Sequence, residues 1–181
     1  MIEWLLALDT AALDAIQGMR CAFLDAVMPF ISKLGDGGAI WIALTLVLML
    51  FRKTRRTGYM LALSLVLGLL IGNLTLKPLI ARVRPYDANP DFVLLIDRLS
   101  DYSFPSGHTL ASFEAAAVLL MQYRAKAVPA LVLALLIAFS RLYLYVHYPS
   151  DVLAGALLGV AFACIARAAV KRMTACSRIE L

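Results

Sequence analysis

The stretch GYMLALSLVLGLLIGNLTL, Gly58–Leu76, decides the fold class of this chain. It carries no charged side chain, and a membrane-spanning helix needs about 20 mostly apolar residues. The whole chain shares this character, since 62% of its 181 residues are hydrophobic and its mean hydropathy is +0.84. Because a soluble domain is about half apolar, the composition indicates a single integral membrane domain.

Further apolar runs extend the pattern into a polytopic bundle. Three of them are long enough to span: Ser106–Tyr123, Ala127–Val146 and Val152–Val170. The shorter run Gly38–Phe51 is also expected to span, because Trp41 and the basic cluster that follows suit the two membrane interfaces. The prediction is an all-α, polytopic membrane helix bundle with five full spans.

The N-terminal segment, Met1–Gly35, is helical in pattern but charged along its length. We expect an amphipathic helix or helical pair on the membrane surface, and a sixth span within Leu5–Leu34 is the alternative. The start lacks a basic region and contains Glu3 and Asp9. A cleavable signal peptide is therefore not expected, and the first span would direct insertion.

Basic residues predict the orientation. They cluster between the first and second spans, between the third and fourth, and after the fifth, at Arg52, Lys53, Arg55, Arg56, Arg124, Lys126, Arg167, Lys171, Arg172 and Arg178. Five alternating spans place all three clusters on one side, and short basic loops stay in the cytoplasm. The net charge of +5 is therefore read as a topology signal and not as a sign of nucleic-acid binding.

The predicted organisation has three parts. They are an N-terminal interfacial segment over residues 1–35, a membrane domain over 36–172 and a cytoplasmic tail over 173–181. The chain is expected in a cell (plasma or inner) membrane, with most of its acidic residues on the extracytoplasmic side. The sequence carries no signal for an oligomeric state.

Three polar clusters fall at one membrane depth on the extracytoplasmic side. They are KPLIARVRP (Lys77–Pro85) after the second span, PSGH (Pro105–His108) at the start of the third, and SRLYLYVHYPSD (Ser140–Asp151) between the fourth and fifth. The topology that brings them together rests only on the basic loops of the opposite side. The sequence therefore predicts one site made from three separate segments.

The charges of these clusters suit a phosphate group. Lys77, Arg84 and Arg141 supply three cations, and the planar arginine fork matches phosphate oxygens. A helix is expected to begin at Ser106 and Gly107, where unpaired N–H groups and the helix dipole favour an anion. Gly107 would let the backbone approach a ligand, and the Ser106 hydroxyl can donate a further hydrogen bond.

Two histidines, His108 and His147, flank this anion cradle and are the only histidines in the chain. Histidine acts as a nucleophile or as a general acid or base near neutral pH. Asp151 follows shortly after His147 and is placed to fix its tautomer, with Ser150 as the expected cap of the next helix. His108 has no carboxylate nearby in sequence and is the better candidate for protonating a leaving oxygen.

Glu114 and two glycine pairs lie within the predicted spans. Glu114 either supports the site from behind or bonds a neighbouring helix. The pairs Gly68-x-x-x-Gly72 and Gly155-x-x-x-Gly159 have the spacing that lets helices approach closely. For the glycines, close packing is the preferred interpretation.

Two further arginines have two interpretations each. Arg82 and Arg98 either extend the site toward a diphosphate or pair with acidic residues of the loop Tyr86–Tyr102, and we favour the pairing. The loop itself is a candidate lid over the site.

Taken together, the three clusters resemble the signature of the type 2 phosphatidic acid phosphatases, the PAP2 superfamily. That signature is Lys, six residues, Arg-Pro; then Pro-Ser-Gly-His; then Ser-Arg, five residues, His, three residues, Asp. Every spacing is matched here, and the resemblance covers about residues 35–170.

The resemblance implies a role for each residue. His147 would attack phosphorus and carry a phosphohistidine, Asp151 would orient His147, and His108 would protonate the leaving group and then activate water. The phosphate oxygens would be held by Lys77, Arg84, Ser106, Gly107 and Arg141. No metal or other cofactor is implied, in keeping with a sequence that lacks a cluster of acidic, His or Cys ligands.

The resemblance also implies a lipid substrate in the bilayer, such as phosphatidic acid, phosphatidylglycerol phosphate or a polyprenyl diphosphate. The expectation is a metal-independent hydrolase with undecaprenyl diphosphate, the carrier lipid of cell-wall synthesis, as first choice, because the short five-span layout looks like its bacterial phosphatases. A lipid phosphotransferase is an alternative that differs only in the final acceptor. The membrane bundle disfavours a vanadium haloperoxidase, and the lack of an inverted repeat disfavours a transporter. A non-enzymatic lipid-binding protein is disfavoured because it would not need Asp151 paired with His147 and a second histidine.

Overall fold

A computed structural model describes residues 3–176, with side chains up to residue 173. All regular structure in this range is helical, which confirms the all-α prediction for the described residues. The main helices are α1 (Glu3–Gln17), α2 (Ala22–Leu34), α3 (Ala39–Leu50), α4 (Arg55–Leu67), α5 (Lys77–Ile80), α6 (Pro85–Ala88), α7 (Gly107–Tyr123), α8 (Val128–Tyr143) and α9 (Pro149–Cys176). Residues 177–181 of the predicted tail lie outside the described range.

Four helical stretches are long and apolar enough to cross a membrane: Ala22–Leu50, Arg55–Ala88, Gly107–Tyr143 and Pro149–Met173. Many of their large apolar side chains face outward, including Leu74 (61% exposed) and Leu157 (64% exposed). Such a surface suits lipid and would be unusual in water. The chain is a multi-pass membrane protein.

Three of these stretches contain a sharp backbone break, one of them at Ala81, whose φ of 48° ends α5. Gly37 and Gly38 separate α2 from α3 with φ angles of 58° and 69°, a region that glycine adopts without steric cost. Arg124, with φ 52° and ψ −129°, separates α7 from α8, and these two helices pack against each other.

Helix α7 lies at the centre of the bundle and contacts α4, α8 and α9. Its closest neighbour is α9, where a Cβ added to Gly155 would lie 2.8 Å from the Ser106 carbonyl oxygen. On the other side, a Cβ added to Gly72 would lie 2.4 Å from a methyl group of Leu110. These distances confirm that the glycine pairs serve close helix packing.

A π-helical stretch, Gly68–Leu76, joins α4 to α5. At its end the Lys77 N–H donates to the Gly72 carbonyl oxygen, five residues earlier. Pro78, which follows, has no N–H to continue the ladder. Short π segments often lie next to functional sites. Lys77, which follows this one, lies at the end of the bundle where the three polar clusters meet.

The N-terminal helices pack against that same end of the bundle. Gln17 donates to the Tyr143 carbonyl oxygen at 3.2 Å, and the Tyr143 hydroxyl donates to Asp25 at 2.6 Å. At the opposite end, the Tyr123 hydroxyl donates to Thr57 at 3.1 Å. Helices α1 and α2 therefore belong to the half of the molecule that holds the polar clusters.

Gly159→Ala should destabilise the bundle. The added Cβ would lie 2.7 Å from the Leu110 carbonyl oxygen and 3.0 Å from the Glu114 nitrogen, so α7 and α9 must separate, at about 1–3 kcal/mol for overpacking. Thermal unfolding in detergent should show a Tm lowered by several degrees. Ala161→Val, on an exposed position of the same helix, is the control; equal Tm values for the two variants would contradict the packing.

Candidate active site

The three clusters meet where four helices end or begin. Lys77 opens α5, Ser106 precedes α7, Arg141 lies in the last turn of α8, and Asp151 lies in the first turn of α9. Helix ends leave backbone groups unpaired, so this end of the bundle is polar although the helices are apolar. The eight predicted site residues, which come from all three segments, lie together here.

Two of the three cations share one acidic partner. The Lys77 ammonium and the Arg84 guanidinium both pair with the Asp101 carboxylate, Arg84 through Nη2 at 2.6 Å. Arg84 also donates from Nη1 to the Val146 carbonyl oxygen at 2.6 Å. Lys77 and Arg84 are buried, whereas the Asp101 side chain is 50% exposed. The cations are thus fixed by the protein, and their partner lies at the surface.

Arg141 is the least satisfied of the three cations. It is 1% exposed, and its Nη1 donates to the Ser32 hydroxyl of α2. Within the described residues, its Nε and Nη2 atoms have no hydrogen-bond partner. A buried donor without a partner is costly, and two of them on one guanidinium form a fork that an anion would satisfy.

His147 is buried beside these cations, with its two ring nitrogens in different surroundings. Nε2 lies 3.4 Å from Arg84 Nη1, whereas Nδ1 lies 3.5 Å from the Ser103 hydroxyl and 3.7 Å from Asp151 Oδ2. Burial lowers the pKa of His147 to about 3; the contact with Asp151 opposes this shift, and the charges of Arg84 and Arg141 add to it. The ring is therefore neutral at physiological pH, and its Nε2 side faces the cations.

Asp151 stands behind His147 and is completely buried. Its Oδ2 accepts from the Ser103 hydroxyl at 2.5 Å and from the Tyr148 N–H at 2.9 Å. Its Oδ1 accepts from Arg82 Nη1 at 2.5 Å. These bonds hold the carboxylate in place, and Ser103 is the hydroxyl that bridges it to the His147 ring.

Arg82 does not pair with the loop acids, so our preferred interpretation of this residue is wrong. It bridges Asp151 and Asp9, donating from Nη2 to Asp9 Oδ2 at 2.7 Å, and its guanidinium lies 3.9 Å from the centre of the Tyr148 ring. A buried carboxylate attracts a buried cation more strongly than exposed loop acids do, because water screens the latter. Arg98 does pair with the loop acid Asp87, at 3.0 Å on the surface.

The start of α9 differs from the expectation that Ser150 caps it. A Ser150 cap would start the helix at Asp151, but the helix begins two residues earlier, at Pro149, a residue suited to the first helical position. Ser150 lies in the first turn, and its N–H donates to Asp9 Oδ1 at 2.8 Å. The carboxylate that accepts a hydrogen bond from the first turn of α9 therefore comes from Asp9 in α1.

The PSGH segment begins α7 as predicted, with Ser106 as the N-cap. The Ser106 hydroxyl accepts from the Thr109 N–H and lies 2.9 Å from the Thr109 hydroxyl. A Cβ added to Gly107 would lie 2.7 Å from the Asn73 side chain, so the close approach that this glycine permits here is to Asn73. The predicted contacts of Ser106 and Gly107 with a phosphate stay predictions.

His108 meets a carboxylate that its sequence neighbourhood does not show. Its Nε2 lies 2.8 Å from Asp36 Oδ1 in the turn between α2 and α3. Gly35 packs against the same ring, because a Cβ there would lie 2.8 Å from His108 Cδ2. For Glu114 the sequence left two roles open, support of the site or a bond to a neighbouring helix. Its side chain accepts from the Ser64 hydroxyl at 3.3 Å and so joins α7 to α4.

A cavity of about 580 Å³ connects the charged groups with an apolar groove between α3 and α4. Its polar end includes the three cations and both histidines, and its apolar end runs between the two helices. The residues that line these two parts include Lys77, Arg84, His108, Arg141, His147, Ile42, Leu46, Met49, Leu65 and Val66. The site therefore opens toward the bundle surface that faces lipid.

Several site residues carry no recognisable signal in the sequence. Asp9 and Ser32 come from the N-terminal segment and Asp36 directly follows it, far from the three clusters along the chain. Asp101 and Ser103 lie just before PSGH, and that proximity is the one sequence signal that could have drawn attention to them. The loop 86–102 that contains Asp101 packs its Phe92 ring on Tyr145, with centroids 4.0 Å apart, and its role as a lid stays a prediction.

Comparison with known proteins identifies the family. The model of the PAP2 superfamily matches residues 56–174. The chain is 39% identical to an undecaprenyl-diphosphatase of Sulfolobus acidocaldarius over 142 residues, which cover 77% of this chain and 68% of that protein.

Solved structures agree with this match. The crystal structure of Aquifex aeolicus LpxE is similar with a TM-score of 0.79 and 31% identity, covering 88% of this chain and 94% of that one. A PAP2-type phosphatidylglycerolphosphate phosphatase from Bacillus subtilis is similar with a TM-score of 0.77 and 28% identity, covering 94% of this chain and 88% of that one.

The chain belongs to the PAP2 superfamily, as its three clusters indicated. It is a membrane lipid phosphatase, a hydrolase that acts on phosphate esters. The matched range begins within α4, so the N-terminal carboxylates Asp9 and Asp36 lie outside it although they contact the site.

The His147 ring should stay neutral over the range in which an ordinary histidine titrates. Because its pKa is lowered to about 3, about 1% of the ring is protonated at pH 5, compared with most of a ring of pKa about 6.5. The unfolded ring binds the proton more tightly, so this group's contribution to stability is lost as pH falls from about 6.5 toward 3.

Histidine NMR of the protein in detergent, with an affinity tag free of histidine, would test this. The His108→Asn variant leaves His147 as the only histidine and so assigns the signal. A signal that is unchanged between pH 8 and 5 is expected. A titration midpoint near 6.5 would contradict the buried, neutral ring.

Proposed function

We propose that the protein removes phosphate from a polyprenyl diphosphate or another lipid phosphate, with undecaprenyl diphosphate as the first candidate. The observation that carries this proposal is the continuous cavity from the cations and His147 into the groove between α3 and α4. Its lining runs from Gly38, just before α3, to Met49 in α3, which is roughly 16 Å of helix. That length is about half the hydrocarbon core of a bilayer, as a tail from one leaflet requires.

In the proposed reaction His147 is the nucleophile. Its Nε2 lone pair forms a bond to phosphorus while the bond from phosphorus to the leaving oxygen breaks. His108 gives its proton to that oxygen, which departs with the lipid. The neutral His147 ring and the carboxylate behind its Nδ1 side support this role, because Asp151 stabilises the cation that forms on attack.

The second step regenerates the enzyme. His108 takes a proton from water as the water oxygen bonds to phosphorus, the bond from phosphorus to Nε2 breaks, and inorganic phosphate leaves. Through both steps Lys77, Arg84 and Arg141 neutralise the phosphoryl oxygens. The Nε and Nη2 nitrogens of Arg141, which have no partner among the described residues, support its place as a phosphate ligand. No step calls for a metal ion.

A phosphatidylglycerol phosphate substrate is the second candidate. It is favoured by the similarity to the Bacillus subtilis phosphatidylglycerolphosphate phosphatase, which extends over 94% of this chain. The groove residues, which include Leu46, Leu65 and Val66, form an apolar wall that would accept an acyl chain as well as a polyprenyl chain.

We also propose five spans with the site on the extracytoplasmic side. The break at Arg124 divides Gly107–Tyr143 into two antiparallel spans, and α3 forms the first span. Helices α1 and α2 then lie at the outer interface, where their contacts with Tyr143 and Ser150 occur. Within the described residues, the basic clusters of the predicted cytoplasmic side, such as those at Arg52 and Arg124, fall at the opposite end of the bundle, near the Tyr123–Thr57 hydrogen bond.

Phosphate release from the two candidate lipids, measured in detergent with EDTA, should distinguish them and test the nucleophile. His147→Asn should lower the rate by about 10⁴-fold or more, because losing a nucleophile removes the covalent path. Arg98→Gln removes an exposed cation outside the cavity and is the control with unchanged activity.

The ratio of the two wild-type rates identifies the preferred lipid. Full activity in His147→Asn would refute the proposed mechanism, and loss of wild-type activity in EDTA that a divalent metal restores would refute metal independence.

Cysteine labelling would test the orientation. In a variant without the native cysteines, Asn89→Cys should react with a membrane-impermeant maleimide added to intact cells, since Asn89 is exposed in the outer loop. Lys53→Cys, exposed between α3 and α4, should react only after the cells are opened. The reverse pattern would invert the topology.

A further inference from the structure

The Asp101 carboxylate occupies the place between two of the three proposed phosphate ligands. It contacts Lys77 Nζ through Oδ2 and Arg84 Nη2 through Oδ1, the latter at 2.6 Å. A carboxylate that bridges an ammonium and a guanidinium makes the same charge-assisted hydrogen bonds as two phosphate oxygens. Asp101 thus occupies the position that a phosphate would take on these side chains.

Asp101 fills only part of the proposed phosphate site, because it does not pair with the third cation, Arg141. Arg141 lines the same cavity, and its Nε and Nη2 have no partner within the described residues. One carboxylate therefore satisfies two cations and leaves the third open. A phosphate, with more oxygens and a higher charge, can satisfy all three.

The geometry allows the Asp101 side chain to turn away while Arg84 stays in place. Its side chain is 50% exposed, and it lies on the loop between α6 and α7. Arg84 is held independently, since Nε donates to the Asp101 main-chain oxygen at 2.8 Å and Nη1 to the Val146 oxygen at 2.6 Å. Rotation of the Asp101 side chain alone would vacate the site.

We propose that Asp101 is an internal counter-ion, which fills the phosphate site when it is empty, is displaced by the substrate phosphate and returns to expel inorganic phosphate after hydrolysis. This inference rests on the proposed function. It makes Asp101 a residue that sets the affinity for phosphate without taking part in bond making or breaking.

Electrostatics supports a role as anion and not as proton donor. Burial raises the pKa of Asp101, but its hydrogen bond to Lys77 and the charges of Lys77 and Arg84 outweigh burial and lower it to about 2. The carboxylate is therefore charged at neutral pH. It competes with phosphate for the same two cations, which weakens the binding of substrate and product alike.

Binding of inorganic phosphate by the full-length protein in detergent, measured calorimetrically, tests the proposal. Asp101→Asn removes the competing charge and should bind phosphate about tenfold more tightly or better, the effect of one charged hydrogen bond. Asp97→Asn makes the same charge change on an exposed residue of the same loop and should match the wild type. Adding Lys77→Met to Asp101→Asn should abolish the gain.

The expected gain in affinity separates this role from structural damage, because a disturbed site would bind phosphate more weakly. Equal or weaker binding by Asp101→Asn would overturn the proposal, and so would a gain that Asp97→Asn shares or that persists without Lys77. Lipid hydrolysis by the wild type is measured separately. A protein that hydrolyses lipid but fails the phosphate test would refute the counter-ion and leave the proposed function standing.

Discussion

The buried carboxylate of Asp151 is the constraint on which the rest of the site depends. An ionised group inside a protein must be surrounded by donors or it destabilises the fold. Here Ser103, Tyr148 and Arg82 supply them, and each comes from a different segment or helix end. The hydrogen bonds to this one carboxylate therefore bring together the loop before α7, the start of α9 and the segment after α5. His147 lies beside the same carboxylate, with Nδ1 3.7 Å from Oδ2.

The charges around His147 impose a further constraint on the site. Three cations lie together beside His147, and like charges in a poorly hydrated site repel each other. Carboxylates near the site offset this repulsion, and they differ in how exposed they are. Asp9 and Asp151, which hold Arg82, are almost fully buried, whereas Asp101 and Asp36, at the mouth, are at least half exposed. The buried pair holds Arg82 in place, and the exposed Asp101 is the carboxylate that we propose phosphate displaces.

The N-terminal helices are part of the site although the family match starts after them. Asp9 of α1 holds Arg82 and the start of α9, Ser32 of α2 accepts from Arg141, and Asp36 contacts His108. These contacts account for the polar side chains at these positions. Asp9 and Ser32 are buried against the site end of the bundle, and exposed apolar residues of these helices, such as Trp4, suit a membrane interface.

The sequence by itself determined the helical membrane class and the three polar clusters, because hydropathy and motif spacing can be read along the chain without knowledge of tertiary contacts. It also indicated that the clusters share one side of the membrane. Which carboxylate meets which cation was decided only by tertiary structure. Asp9 and Arg82 are 73 residues apart and Asp36 and His108 are 72 apart. Such pairs depend on how helices pack and on which partner is buried away from water, where charges attract most strongly.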